Sequence, residues 1–297
     1  MIVNGANLRT LGVGFQRTFQ AGLDEADVSY QQIATTVNST TASNEYGWLG
    51  VMPGMREWIG DRVINQIDGH SYTIRNRKFE DTIAVKRDHI EDDNIGVYGP
   101  LFGALGRTAG AFPAELNWTA LAAGFETPCY DGQNFFDTDH PVIVGGAEQS
   151  YSNMQAGAGS PWFLMDLSKP LKPLLYQERK KPEFQSKTDP ASSDHVFMRD
   201  EFLWGTSMRC NVGYGFWQLA FGSKAALTEE SFEEAYFAMR DQKNDAGRPL
   251  AIKATHLVVG SSNLKAAEEI LKKDRKQNGE DNINQGRVQL FDSPWLA

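Results

Sequence analysis

From Asn94 to Phe125, the residues Tyr98, Leu101, Leu105, Ala109, Phe112, Leu116, Ala120 and Ala123 recur three or four positions apart. That period places them on one face of a helix. A helix spanning this run is far longer than the ~11–12 residues of an average globular helix. The run therefore marks one long helix, here called the beam, or two collinear ones. Asp92 or Asp93 can cap its start. Pro113 lies inside the run and predicts either a kink or a second segment beginning there, where a missing N–H does no harm. Gly103, Gly106 and Gly110 allow another backbone to come close.

The segments before the beam are of three kinds. Leu8, Leu11, Phe15 and Phe19 predict a short amphipathic helix within residues 5 to 22, weakened by Gly12 and Gly14. "TTVNSTTASNEYG" (35–47) is polar and unpatterned and reads as an extended arm outside the core. Termini are ordered only where something ties them down, so the first ~45 residues are expected to leave their own subunit. A charged ribbon follows. Asp68-Gly69 is a hairpin turn signal, and Tyr72, Ile74, Phe79, Ile83 and Val85 alternate with polar residues. The polar positions hold Arg75, Arg77, Lys78, Glu80, Asp81, Lys86 and Arg87. An isolated hairpin is marginal in water, so this one needs a partner surface.

After the beam, "VGGAEQSYSNMQAGAGSPW" (144–162) reads as a loose surface excursion. Met208, Cys210, Val212, Tyr214 and Phe216 alternate as a strand does. "LTEESFEEAYFAMRDQKNDAG" is a helix capped by Thr228, with Glu229 and Glu230 at its positive end and a stripe of Phe232, Tyr236 and Met239. "THLVV" is a buried strand, Ser262 a cap for the next helix, and "GRVQLFDSPWL" a last strand. The fold class expected is α+β.

Charge and cysteine content exclude several functions. The formal net charge is −9 and the pI about 5.1, which argues against a protein whose task is gripping nucleic-acid phosphates. Cys129 and Cys210 are the only cysteines and lack metal-knuckle or disulfide-framework spacing, so two thiols in a reducing cytosol are expected. No basic leader followed by an apolar run and no stretch of ~18 apolar residues is found, so neither export nor a membrane span is expected.

The most chemically suggestive stretch is "YDGQNFFDTDHPV" (130–142), which places Asp131, Asp137, Asp139 and His140 just after Cys129. A metal-dependent hydrolase using Asp137, Asp139 and His140 is one reading. The five histidines form no HxH, HExxH or HxxxH spacing, and Asp137-Thr138-Asp139 suits Asx-turn chemistry. A hydrogen-bonded turn, where the beam hands over to strands, is the better expectation. No catalytic, cofactor-binding or metal-ligating residue is expected. "GYGFWQLAFG" lacks the Lys-Ser/Thr of a phosphate loop, and no GxSxG elbow occurs.

The order of parts resembles the Hong Kong 97-type fold of tailed-phage capsid proteins, and within it the gpT family of Mu-like phage and prophage major head subunits. "EYGWLGVMPGMREWIGDR", "YTIRNRKFEDTIAVKRDHIEDDNIGVY", "LAAGFETPCYDGQNFFDTDHPV", "GYGFWQLAFGS" and "DAGRPLAIKATHLVV" carry the resemblance. It implies an N-terminal arm over 1–44, an extended E-loop over 45–90, and a peripheral domain over 91–144 with its spine helix at 91–125. It implies a mainly axial domain over 145–250, with return strands and a helix over 251–297. The implied function is a virion shell of hexamers and pentamers around double-stranded DNA, made in the host cytoplasm. Scaffold, head-maturation protease and portal proteins are its implied partners. Arg75, Arg77, Lys78, Glu80, Asp81, Trp48 and Trp58 are the expected subunit-interface residues. An encapsulin-type nanocompartment shell is the alternative with the same fold.

Overall fold

A computed structural model describes residues 2–49, 72–92, 94–144, 147–243, 247–276 and 279–296. The expected Asp68-Gly69 turn and Trp58 lie outside the described residues. The chain opens with helix α1 (Gly5–Asp24), whose first turn is capped by the Asn4 side chain accepting from the Asn7 N–H at 2.8 Å. Strands β1 (Ala34–Asn38), β2 (Ser43–Glu45), β3 (Thr73–Arg75) and β4 (Arg77–Lys86) follow. A short helix α2 (Arg87–Glu91) then leads to the beam, α3 (Tyr98–Ala122). Next come β5 (His140–Val144), β6 (Ala147–Tyr151), β7 (Met154–Gln155), β8 (Trp162–Met165) and the long β9 (Leu174–Lys187). The one-turn α4 (Asp194–Arg199), the long β10 (Glu201–Tyr214) and β11 (Ala220–Ser223) precede α5 (Glu229–Arg240). The chain closes with β12 (His256–Val259), α6 (Ser261–Lys272) and β13 (Gln289–Asp292).

Two sheets organise these elements. One has the order β1-β9-β10-β4, the other β13-β12-β8-β11-β7. In the first, β10 runs antiparallel to both β9 and β4, and β1 lies parallel to β9 with Ala34 opposite Leu174. The second is sealed from both flanks of β8, whose four residues are all buried. The sheets do not follow the consecutive blocks expected from the sequence. β9 and β10, from the 145–250 block, join the ribbon strand β4, while β12 and β13 join strands from residues 154–165 and 220–223.

The beam links two cores. Tyr98, Phe102, Leu105 and Ala109 of α3 belong to one, with Leu8, Phe15 and Phe19 of α1, Val85, Phe202 and Trp204. Ala114, Trp118 and Leu121 belong to the other, which contains the second sheet and the buried faces of α5 and α6. Pro113 neither ends nor splits α3, so no second segment begins there and the run forms one long helix. The helix continues across it, and the buried Asn117 Nδ2 donates to the Pro113 carbonyl at 2.7 Å. The start of α3 also differs. Val97 occupies the cap position without a side-chain bond, and Asp92 closes α2 instead.

The largest departure concerns the first ~45 residues, expected off their own subunit because termini need tying down. Here α1 lies directly on α3. Its Phe15 ring stacks on Phe102 at 4.3 Å and meets Trp204 edge-on at 5.3 Å. Gly22 of α1 and Gly106 of α3 face the opposite backbone so closely that a Cβ on either would strike a carbonyl, Gly103's and Phe19's respectively. The polar 35–47 stretch is extended as expected, but it is tied into the core rather than free. Tyr46 is buried and its hydroxyl donates to Gln177 at 2.8 Å. Asn76 Nδ2 donates to Ser39, and Gln177 Nε2 to Asn76, both at 2.9 Å.

The ribbon strand finds its partner within the chain. β4 pairs along its whole length with β10, Lys86 opposite Glu201 and Arg77 opposite Cys210. Val85 is buried, and Phe79 and Ile83 half-buried, as the alternation predicts. Of the expected alternation over Met208–Phe216, Met208 to Tyr214 lies in β10, while Phe216 falls after the strand has ended. Thr228 caps α5 through a reciprocal bond with Ser231, while α6 begins at Ser261, one residue before the expected Ser262 cap.

The glycine contact yields a paired test. Gly106→Ala should force α1 off α3, costing about 1–3 kcal/mol as overpacking does. Gly14→Ala, on α1 with nothing within 4 Å of the added carbon, should instead stabilise the subunit by roughly 0.5–1 kcal/mol. Urea unfolding of both variants measures the contrast, and equal effects would contradict the close helix contact.

Candidate functional site

The 129–142 stretch is positioned by the end of the beam. Phe135 and Phe136 are fully or almost fully buried and pin the loop to the core. Their N–H groups donate to Thr127 at 3.0 Å and Gly124 at 2.9 Å. Gly132 turns the chain at φ +88°. Asp131 then becomes the acceptor for three groups. The Cys129 thiol and the Gln133 N–H donate to its Oδ1 at 3.1 Å each, and His140 Nδ1 lies 2.7 Å from its Oδ2. His140 is fully buried, and its ring stacks on Trp217 at 4.0 Å.

The other ring nitrogen of His140 faces Asn153 Oδ1 at 3.1 Å, an oxygen that also accepts from the Asp137 N–H at 2.9 Å. Asn153 Nδ2 donates to the Phe135 carbonyl at 2.8 Å. Asn153 and Trp217 were invisible as site residues in the sequence. Asn153 sits in the 144–162 stretch that reads as loose, and nothing local marks it as the buried bolt across the β5–β6 hairpin. The hairpin's register, with His140 opposite Tyr151, brings it there.

The alternative hydrolase constellation of Asp137, Asp139 and His140 does not converge. Asp137 is spent on the Asn134 N–H at 3.1 Å and the Thr138 N–H at 2.7 Å. Asp139 is fully exposed and hydrogen-bonds Asp137, which raises its own pKa and contributes to lowering that of Asp137. The stretch instead groups Cys129, Asp131 and His140, each with one ligand-type atom within 4.8 Å of the others. Those atoms already bond one another, so a metal ion there would have to break the network. Burial, reinforced by the Asp131 charge and hydrogen bond, pushes the Cys129 thiol far up, which leaves little of the thiolate that a nucleophile requires. Burial pushes Cys210 up to about 11. For Asp131, burial alone would raise the carboxyl. The hydrogen bond and charge of His140, with bonds from Cys129 and Gln133, carry it below the usual carboxylate range.

The charged ribbon is displayed as an open surface. Arg75, Arg77, Lys78, Glu80 and Asp81 are all exposed, and none forms an ion pair among the described residues. Arg77 lies over the Phe79 ring at 5.3 Å, and Glu80 accepts from Thr82 at 3.0 Å. Trp48 differs from the others. It is half-buried between Tyr46 at 6.2 Å and Phe216 at 5.8 Å, so much of its ring packs on its own subunit.

No helix among the described residues is long and apolar enough to cross a membrane. The family described as "Mu-like prophage major head subunit gpT" matches residues 8–296. The chain is 42% identical over 306 residues to the major capsid protein of Escherichia phage Mu, covering 100% of both chains. It is 47% identical over 284 residues to the Mu-like prophage FluMu major head subunit of Haemophilus influenzae, covering 93% of this chain and 91% of that one. Among solved structures, the procapsid of bacteriophage JBD30 superposes with a TM-score of 0.86 at 50% identity, over 99% of this chain and 100% of that one. The capsid of the same phage gives 0.81 at 38% identity over 100% of both chains.

The Asp131 network sets a pH test. A carboxyl whose folded pKa is depressed contributes stability above its unfolded value and loses it as pH falls through the folded one. Asp131→Asn should therefore be less stable than the parent at pH 7, and the gap should close as pH drops below about 4. Both thiols should stay unreactive toward a disulfide reagent at pH 8 until the subunit unfolds. Rapid labelling of native Cys129 would contradict the buried donor role.

Proposed function

The chain belongs to the Mu-like prophage major head subunit gpT family and is a major capsid protein of that kind, and from this premise we propose how its parts serve the shell. Its α+β architecture is the Hong Kong 97-type fold of phage capsid proteins, and its place is the virion shell. The observation that carries this reading is the end-to-end match to the JBD30 procapsid at a TM-score of 0.86.

In the proposed arrangement, copies close as hexamers and pentamers into an icosahedral container for double-stranded DNA. Scaffold, head-maturation protease and portal proteins are proposed to assist, as the resemblance implies. One JBD30 capsid structure carries minor capsid protein trimers, and a comparable decoration is proposed here. The first sheet with α1 and α3 corresponds to the peripheral part, and the second sheet with α5 and α6 to the axial part. Residues 45–90 act as the E-loop. The chain works as a structural protein and not as an enzyme, a reading supported by the Cys129–Asp131–His140 atoms being engaged with one another.

The net charge of −9 suits a container that holds DNA by confinement, since tight binding requires cations to neutralise phosphates. Electron microscopy of purified particles should show closed shells protecting double-stranded DNA from nuclease. Shells filled with a protein cargo instead would favour the nanocompartment. Unassembled subunits should show no saturable duplex binding in an anisotropy titration at about 0.15 M salt, where screening is strong.

The exposed ribbon cations supply a second test. Charge complementarity between subunits steers association and penalises like charge. Arg75→Glu with Arg77→Glu should leave a folded subunit, judged by circular dichroism, that assembles poorly. Normal shells from this variant would remove the ribbon from the subunit interface.

A further inference from the structure

Two surface features of this chain fit each other but cannot meet within one subunit. The first is a knob. The one-turn α4 sits at the end of the β9–β10 hairpin and exposes Phe197 and Met198 at 73% and 77%, followed by the exposed Arg199. Adjacent large apolar side chains this bare are unusual at the surface of a soluble subunit and mark an interaction site. The turn beneath them is firmly held. Val196 is buried, Asp200 adopts a left-handed conformation at φ 54°, and its carboxylate pairs with Arg87. Among the described residues, Arg199 forms no ion pair.

The second feature is a cleft of about 320 Å³ between α3 and the β4–β10 pair. Its floor is apolar, built from Phe79, Leu105, Ala109, Phe112 and Met208. Its rim is acidic, with Glu80, Asp81 and Glu115, all exposed. A volume at the small end of the ~300–1,000 Å³ typical of pockets suits one or two side chains rather than a whole element. Phe79, Glu80 and Asp81 pair with Met208, Ser207 and Thr206, so the cleft lies partway along β10. The knob precedes Glu201 at the start of that strand. Five to seven residues of strand at ~3.4 Å each separate them by roughly 20 Å.

We propose that the Phe197–Met198–Arg199 knob of one subunit docks into the Phe79–Phe112–Met208 cleft of a second copy, with Arg199 meeting the acidic rim. The inference rests on the capsid reading above and names one contact through which copies join. Size and charge both fit. An apolar pair enters an apolar floor, and a free cation reaches Glu80, Asp81 or Glu115. Arg77 lies over Phe79 beside the floor, while the charged residues that line the cleft, Glu80, Asp81 and Glu115, are all acidic. Knob and cleft are different patches of the same chain, so the contact is head-to-tail. A head-to-tail contact repeats from copy to copy and closes into rings when the rotation allows.

Site-directed cross-linking tests this. Phe197→Cys and Thr108→Cys variants, the latter altering an exposed cleft residue, are co-expressed, the particles isolated and the thiols oxidised. Disulfide-linked dimers are expected when both variants are present and absent with either alone. Phe197→Ser with Met198→Ser, both on exposed positions, should leave the melting temperature unchanged. It should lower shell yield by roughly tenfold or more, as truncating an interface anchor does. Arg199→Glu should reduce yield too, and Glu80→Arg with Glu115→Arg should restore it in the same chain. Intact shells without the cross-link, or full yield from the serine variant, would overturn the knob contact while leaving the capsid reading in place. A parent protein that forms no shells would overturn both.

Discussion

Everything in this subunit hangs on one helix staying continuous through a proline. α3 belongs to the core cluster it shares with α1, Val85 and Trp204 up to Ala109, and from Ala114 onward to the larger cluster that takes in residues of both sheets. Pro113 stands at that seam and has no N–H to give the Ala109 carbonyl. A break there would separate the two cores. The helix holds because both halves are buried, the first against α1 and the second within the large core cluster, which fixes their directions independently of the missing bond. At ~1.5 Å per residue, twenty-five residues make a rod of about 37 Å, which sets the spacing between the two halves of the molecule.

Periodicity exposed the elements whose stability comes from burying one face. The three-and-four spacing of Leu8, Leu11, Phe15 and Phe19 gave α1, and that of Tyr98 to Ala123 gave α3, although only Tyr98, Leu105 and Ala109 of that set are buried and Phe102, Trp118 and Leu121 carry much of the rest of the buried face. Alternation gave β4 and the Met208–Tyr214 part of β10. It failed where stability comes from partners distant in sequence. β1 reads as linker because Thr35, Thr36 and Asn38 are polar, yet it is a strand because β9 offers it a free edge. Tying down α1 takes Trp204 and Phe184, far along the chain. The turn at 130–142 was legible as a hydrogen-bonded loop from its Asx chemistry. Its two fixing residues, Asn153 and Trp217, were not, since only tertiary register brings them to His140.

The charges divide into two populations. Several ion pairs are local, such as Lys272–Glu268 and Lys273–Glu269 one helical turn apart, and largely exposed. Pairs of that kind contribute little to stability. Arg75, Arg77, Lys78, Glu80 and Asp81 of the ribbon have no such partners among the described residues, and the interior is held by aromatic stacking and buried aliphatics instead. A fold that does not depend on its surface charges leaves them available for recognition between copies.

The parallel pairing of β1 with β9 also dictates an order in time. Ala34 pairs with Leu174, and Trp295 Nε1 donates to Asp27 at 2.8 Å across almost the entire chain. A ribosome adding ~5–20 residues per second delivers β9 roughly 10–30 s after β1 has emerged. Through that interval the β1 edge has no mate, and the Asp27 contact waits until Trp295 has been made. An unfinished subunit therefore lacks the surfaces of a finished one, so the nascent chain is kept from premature contact with its neighbours by the topology itself.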